Sequence, residues 1–171
     1  VEGGRFDSTD GSYAYWYAGG SEQGAFGESF ARQLDYVKFG PRPLPYKVVA
    51  NRAVSEVGTA RDLVLVECYG AGAEQIGQDI WLTTSGESDY PLTRQWAGAV
   101  RRWAPGTDGL VWKSRRDPGE DVFVLWGGPR TAKTGCGLLV PGTTEPLESG
   151  PARLRLDNWL VRWRLYIEPH S

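Results

Sequence analysis

An α+β domain is the fold class this sequence predicts, and three observations lead to it. Short runs of β-branched and aromatic residues recur along the chain, at residues 13–18 (YAYWYA), 62–68 (DLVLVEC) and 121–126 (DVFVLW). Two segments carry apolar residues at helical spacing, one through Phe26, Phe30 and Leu34, the other from Leu92 to Trp103. Glycine and proline clusters separate these segments, with no internal repeat, so strands and helices are mixed around one core.

Residues 13–18, bounded by Gly11 and by Gly19-Gly20, read as the first strand. Ser21 follows and caps a helix running to about residue 34. In that helix Phe26, Phe30 and Leu34 form the buried stripe. At about 100° per residue, Glu28 stands about 200° from Phe26 and faces water or a cleft. Residues 40–45 (GPRPLP) are a proline-rich connection. Strands are expected at 46–50, 52–57 and 62–68, the last continuous enough to be central. Residues 70–77 (GAGAEQIG) form a turn and a short helix; their glycines lack the spacing and the strand–helix–acid context of a dinucleotide loop.

The clearest helix spans 92–103, with Leu92, Trp96, Ala99, Val100 and Trp103 as its apolar stripe, Pro91 in its first turn and Pro105 beyond its end. Strands follow at 110–113 and 121–126. Residues 127–150 read as a long irregular loop. In the tail, Leu156, Trp159, Leu160 and Trp163 favour a helix, although LRLDNWLVRWRLYI also suits strands.

The chain has 171 residues, 40% hydrophobic and 23% charged, which suits one domain over residues 1–171 with a core that needs no disulfide or metal. A net charge of −2 gives no general attraction to nucleic acid. Apolar runs such as 63–66 are too short to span a bilayer, and no signal peptide opens the chain, so a cytoplasmic location without membrane contact is expected. Two cysteines, Cys68 and Cys136, read as small core hydrophobes in a reducing compartment, with no zinc pattern and no metal site. His170, the only histidine, is penultimate, which sets a Ser-His-Asp or Cys-His mechanism aside. Eight Trp and eight Tyr supply core aromatics, or stacking partners for planar ligands such as nicotinamide and adenine. No methionine occurs and the chain opens on Val1, so its start is expected to have been trimmed or misassigned.

Gly3-Gly4-Arg5-Phe6-Asp7, Tyr15-Trp16-Tyr17-Ala18, Ala25-Phe26-Gly27-Glu28 and Asp108-Gly109-Leu110-Val111-Trp112-Lys113-Ser114-Arg115 follow one another in order. Together they resemble the RES domain family, named for an arginine, a glutamate and a serine. Residues 79–82 (DIWL) and 90–96 (YPLTRQW) resemble stretches of its actinobacterial members. The match is strongest over 3–126, leaving 127–171 as a loop and a C-terminal element. The family pattern also has an N-terminal strand with an arginine upstream of Gly-Arg-Phe, a position that falls before Val1.

The resemblance implies a split β core like that of ADP-ribosyltransferase toxins, with flanking helices and a cleft for NAD⁺. It implies cleavage of the nicotinamide–ribose bond, by phosphorolysis to ADP-ribose-1″-phosphate and nicotinamide, in the toxin of a toxin–antitoxin pair. NAD⁺ is then a substrate rather than a resident cofactor, inorganic phosphate a co-substrate, and an antitoxin protein a partner. Two alternatives stand beside this: ADP-ribosyl transfer to a protein on the same scaffold, and a catalytically impaired nucleotide-binding domain.

The catalytic residues implied are Arg5, Tyr17, Glu28 and Ser114, with Arg115 and Tyr90 in substrate binding. Arg5 would hold the pyrophosphate or incoming phosphate through its planar fork. Tyr17 would stack on nicotinamide or hold it through its hydroxyl. Glu28 would stabilise positive charge developing on the ribose. Ser114 would hydrogen-bond the ribose or a phosphate oxygen.

Overall fold

The computed structural model describes residues 3–31, 40–127 and 138–169. Strands and helices are mixed, as the α+β prediction requires. A four-stranded sheet forms the centre, built from β1 (Tyr15–Gly19), β4 (Leu65–Glu67), β5 (Gly109–Lys113) and β6 (Asp121–Trp126). Its order is β1-β6-β5-β4, antiparallel except for the parallel β4/β5 pair. Alternation along the strands decides which side is core. Leu110 and Trp112 of β5 and Val122, Val124 and Trp126 of β6 are all buried and share one core cluster.

That face is covered by α3 (Trp81–Thr84), which supplies Leu82, and by α4 (Tyr90–Trp103), which supplies Ala97 and Val100. Pro91 stands in the first turn of α4, where its missing N–H costs nothing. The buried stripe, however, runs through Tyr90, Thr93, Ala97 and Val100 rather than through the larger apolar residues. Leu92 is 48% exposed and Trp103 66% exposed. Trp96 packs half-buried against the margin of this cluster. Trp96 and Trp103 meet edge to face at 5.8 Å.

A second core cluster gathers around α5 (Gly150–Arg162) through Ala152, Leu156 and Leu160. Phe26 of α1 (Glu22–Phe26) and Phe30 of the π-helical turn Gly27–Ala31 join it. β2 (Arg42–Leu44) and β8 (Leu165–Ile167), a parallel pair, close this cluster with Leu44, Leu165 and Ile167. β3 (Ala53–Thr59) and β7 (Leu139–Pro146) form a separate antiparallel ribbon. A short helix, α2 (Gly70–Gln75), follows β4 as expected.

Several expectations are corrected. Residues 46–50 are not a strand: Tyr46–Val48 is a 3-10 turn closed by Val48 N to Pro45 O at 2.9 Å. The strand expected at 62–68 shortens to β4 and lies at a sheet edge. Its approach is held by Asp108, which accepts Val64 N at 2.9 Å and binds Arg61 through both carboxylate oxygens. The 40–45 connection contains β2, and the loop expected over 127–150 contains β7, which is a strand through its pairing with β3. The tail is both helix and strand, α5 then β8. Leu34, Cys136 and His170 lie outside the described residues, whereas Cys68 is buried in the core as expected. No helix among the described residues is long and apolar enough to cross a membrane.

Candidate active site

The Gly-Gly-Arg-Phe-Asp run is a tight turn laid across the edge of the first core. Gly3 has a φ of 95°, a left-handed conformation that favours glycine. A Cβ on Gly4 would stand 2.5 Å from the Tyr17 hydroxyl. Gly4 N donates to Asp7 Oδ2 at 2.7 Å, and Phe6 N donates to Tyr17 Oη at 2.7 Å. The same hydroxyl donates to Asp7 Oδ1 at 2.8 Å. From the other side α4 grips the turn: Thr93 Oγ1 donates to Arg5 O at 2.7 Å and Arg94 Nε to Gly4 O at 2.9 Å.

Arg5 is only 3% exposed. Its Nη2 donates to Ser85 O at 2.7 Å, and its guanidinium lies 5.6 Å from the centre of the Tyr90 ring. Arg5 and Tyr90, assigned separately from the sequence, are therefore in contact, and both are buried.

The glutamate and the serine meet directly. Ser21 caps α1 by accepting Gly24 N at 3.1 Å, and its hydroxyl donates to Glu120. Gln23 donates to Asp117, so the start of α1 is tied to the loop after β5. The helix then widens into the π turn Gly27–Ala31, a rare geometry frequent at functional sites. Phe26 and Phe30 stay in the core, and Glu28 turns from them towards β5. Glu28 Oε1 accepts Ser114 Oγ at 2.9 Å across 86 residues of sequence. Ser114 is 1% exposed, and its hydroxyl also accepts Arg116 N at 3.2 Å. Arg115, the neighbouring substrate-binding candidate, is exposed.

The candidates thus fall into two groups, Arg5–Tyr17–Tyr90 and Glu28–Ser114–Arg115. Trp112 stands between them. Its ring meets Phe6 at 5.1 Å and Tyr17 at 6.4 Å, and it precedes Ser114 by two positions on the buried face of β5. A cleft of about 810 Å³ opens between β1 and α1 on one side and the β3–β7 ribbon on the other. Tyr17 and Ser29, the neighbour of Glu28, line it; Arg5, Glu28 and Ser114 do not. Across this cleft Arg155 binds Glu145 at 2.7 Å and Glu22 at 2.9 Å, and these carboxylates raise its pKa above the ordinary value. Side-chain geometry, more than cavity shape, singles out the Glu28–Ser114 pair, because there a carboxylate meets the hydroxyl of a buried serine 86 residues away.

A family model for the RES domain matches residues 1–141. The chain belongs to the RES domain family. No curated protein and no solved structure matches it. The RES match extends past the 3–126 stretch that the motifs mark and contains all six candidate residues. RES membership associates the chain with enzymes that act on NAD⁺.

Sequence reasoning gave no role to Asp7, Ser85, Thr93 or Trp112. Thr93 had a usable signal, a polar residue on the same helical period as Tyr90, Ala97 and Val100. Asp7 had another, an acid closing a double-glycine turn. Ser85 acts through its carbonyl, for which the side chain gives no sign.

Proposed function

We propose that this RES domain cleaves the nicotinamide–ribose bond of NAD⁺ by phosphorolysis, releasing nicotinamide and ADP-ribose-1″-phosphate, as the toxin of a toxin–antitoxin pair. The observation that carries the proposal is the Glu28–Ser114 hydrogen bond at 2.9 Å. It joins two residues that the family name singles out, from opposite ends of the matched region. In NAD⁺ the nicotinamide is already cationic. When its bond to the ribose breaks, the electron pair goes to the ring nitrogen and nicotinamide leaves neutral. Positive charge appears on the ribose, and a fixed carboxylate stabilises it. A phosphate oxyanion then supplies the electron pair for the new bond, so no base has to remove a proton. Ser114 orients the Glu28 carboxylate, and the exposed Arg115 beside it suits an incoming anion. A four-stranded sheet apart from a two-stranded ribbon fits the split β core of ADP-ribosyltransferases.

The test is incubation with NAD⁺, with and without inorganic phosphate, and identification of products by mass. Nicotinamide with ADP-ribose-1″-phosphate, formed only when phosphate is present, is the expected result. ADP-ribose as sole product would replace phosphorolysis by hydrolysis, and label retained on a protein would replace it by transfer. NAD⁺ binding without nicotinamide release would overturn the proposal.

A further inference from the structure

We propose that Asp7 is a positioning residue, and that Tyr17 serves the site through its hydrogen bonds to Asp7 and Phe6 rather than by a contact between its hydroxyl and the substrate. The kinetic part of this inference rests on the NAD⁺ reading above. A tyrosine hydroxyl has one proton to donate and two lone pairs to accept with. In Tyr17 the proton goes to Asp7 Oδ1 at 2.8 Å, and one lone pair takes Phe6 N at 2.7 Å. Donation to a nicotinamide carbonyl would first break the bond to a carboxylate, and bonds to charged groups are the stronger kind.

The consequence falls on Arg5. The Arg5 carbonyl and the Phe6 N–H belong to one peptide unit. Thr93 Oγ1 holds its oxygen at 2.7 Å, and Tyr17 Oη holds its nitrogen. That peptide plane is pinned from both sides, which fixes the direction in which the Arg5 side chain leaves the turn. Asp7 completes the clasp by holding Tyr17 with one oxygen and Gly4 N with the other, at 2.7 Å. Asp7 is 8% exposed, and a Cβ on Gly3 would stand 2.4 Å from its Oδ2. The two glycines are thus the residues that admit the carboxylate to the turn. The Tyr17 ring keeps its own task, an edge-on contact with Trp112 that does not depend on the hydroxyl.

The test is a double-mutant cycle with Tyr17→Phe, Asp7→Asn and the double variant, assayed for nicotinamide release and for thermal unfolding. Each variant is assayed well below its own Tm, so that loss of folded protein does not enter the rates. Tyr17→Phe keeps the ring and removes only the hydroxyl, so it keeps the cycle readable if Asp7→Asn folds poorly. Each single change is expected to lower kcat/KM for NAD⁺ on the order of tenfold by misplacing Arg5, with kcat falling as well as KM rising. The double variant is expected to be no worse than the poorer single one, because both break one clasp. Additive losses in kcat, or a Tyr17→Phe effect confined to KM, would overturn the inference, since they would mean that the hydroxyl meets substrate independently. If the wild-type chain releases no nicotinamide, the NAD⁺ reading fails by itself. The clasp is then judged by unfolding: Tm losses that do not add support it, and Tm losses that add overturn it.

Discussion

Replacing Glu28 by Gln separates charge from shape at the centre of the proposed site. Gln keeps a carbonyl oxygen where Glu28 Oε1 accepts Ser114 Oγ at 2.9 Å, so the contact between the π turn and β5 survives. What disappears is the charge. A hydrogen bond to a charged group contributes about 1.5–3 kcal/mol and a neutral one about 0.5–1.5 kcal/mol, so the loss to stability is about 1 kcal/mol. In a chain of 171 residues that lowers Tm by about 2–4 °C. The effect on rate is larger, because the carboxylate faces charge that exists only in the transition state. Loss of one such group costs about 3 kcal/mol, a factor of roughly 150 in kcat. NAD⁺ affinity should change little. The measurements are nicotinamide release at saturating NAD⁺, NAD⁺ binding by calorimetry, and thermal unfolding of both proteins. Turnover close to wild type would refute the role given to Glu28. A fall in Tm well beyond a few degrees would instead mark it as a structural residue that helps join the two cores.

Ser114→Ala should cost more stability than Glu28→Gln, about 1–3 kcal/mol, because it removes the donor to Glu28 and strips the Arg116 amide of its acceptor at a buried position; a Tm within a degree of wild type would contradict this. Cys68 is buried, and burial, followed by the nearby Glu67, pushes its thiol up to about 12. At pH 8 its peptide should therefore resist alkylation in the native protein and react in denaturant, as read by mass mapping, and rapid native labelling would contradict the packing described. NAD⁺ cleavage should survive thorough chelation, because a cationic leaving group departs without a Lewis acid; activity lost to chelation and restored by one particular metal would show otherwise.

Helix α1 and strand β6 were legible in the sequence because their signals are local. Ser21 before a helical stripe caps through its own side chain, and DVFVLW is strand from Asp121 to Trp126. Legibility failed where neighbours chose between faces or partners. Helix α4 was recognised, but of the stripe read for it Val100 is buried and Leu92 and Trp103 are exposed, because the buried face carries Tyr90, Thr93 and Ala97 instead. Strand β7 went unseen because Pro141, Gly142 and Pro146 speak for a loop, and only pairing with β3 makes it a strand. The motif residues could be named from the sequence. Their grouping, Arg5 with Tyr90 and Glu28 with Ser114, was not visible.

By itself the sequence determined the α+β class, the RES domain motifs and the outward turn of Glu28 from its apolar stripe, since each follows from residue type and short-range spacing. Tertiary structure alone decided that Ser114 is the donor that meets Glu28, because that contact spans 86 residues and depends on α1 docking against the end of β5. It also decided that the Tyr17 hydroxyl is engaged by Asp7 and Phe6, and that Arg5 is buried against Tyr90. The physical reason is range. Propensity and periodicity act over a few residues, whereas the hydrogen bonds that fix these side chains join segments that only the packing of two cores brings together.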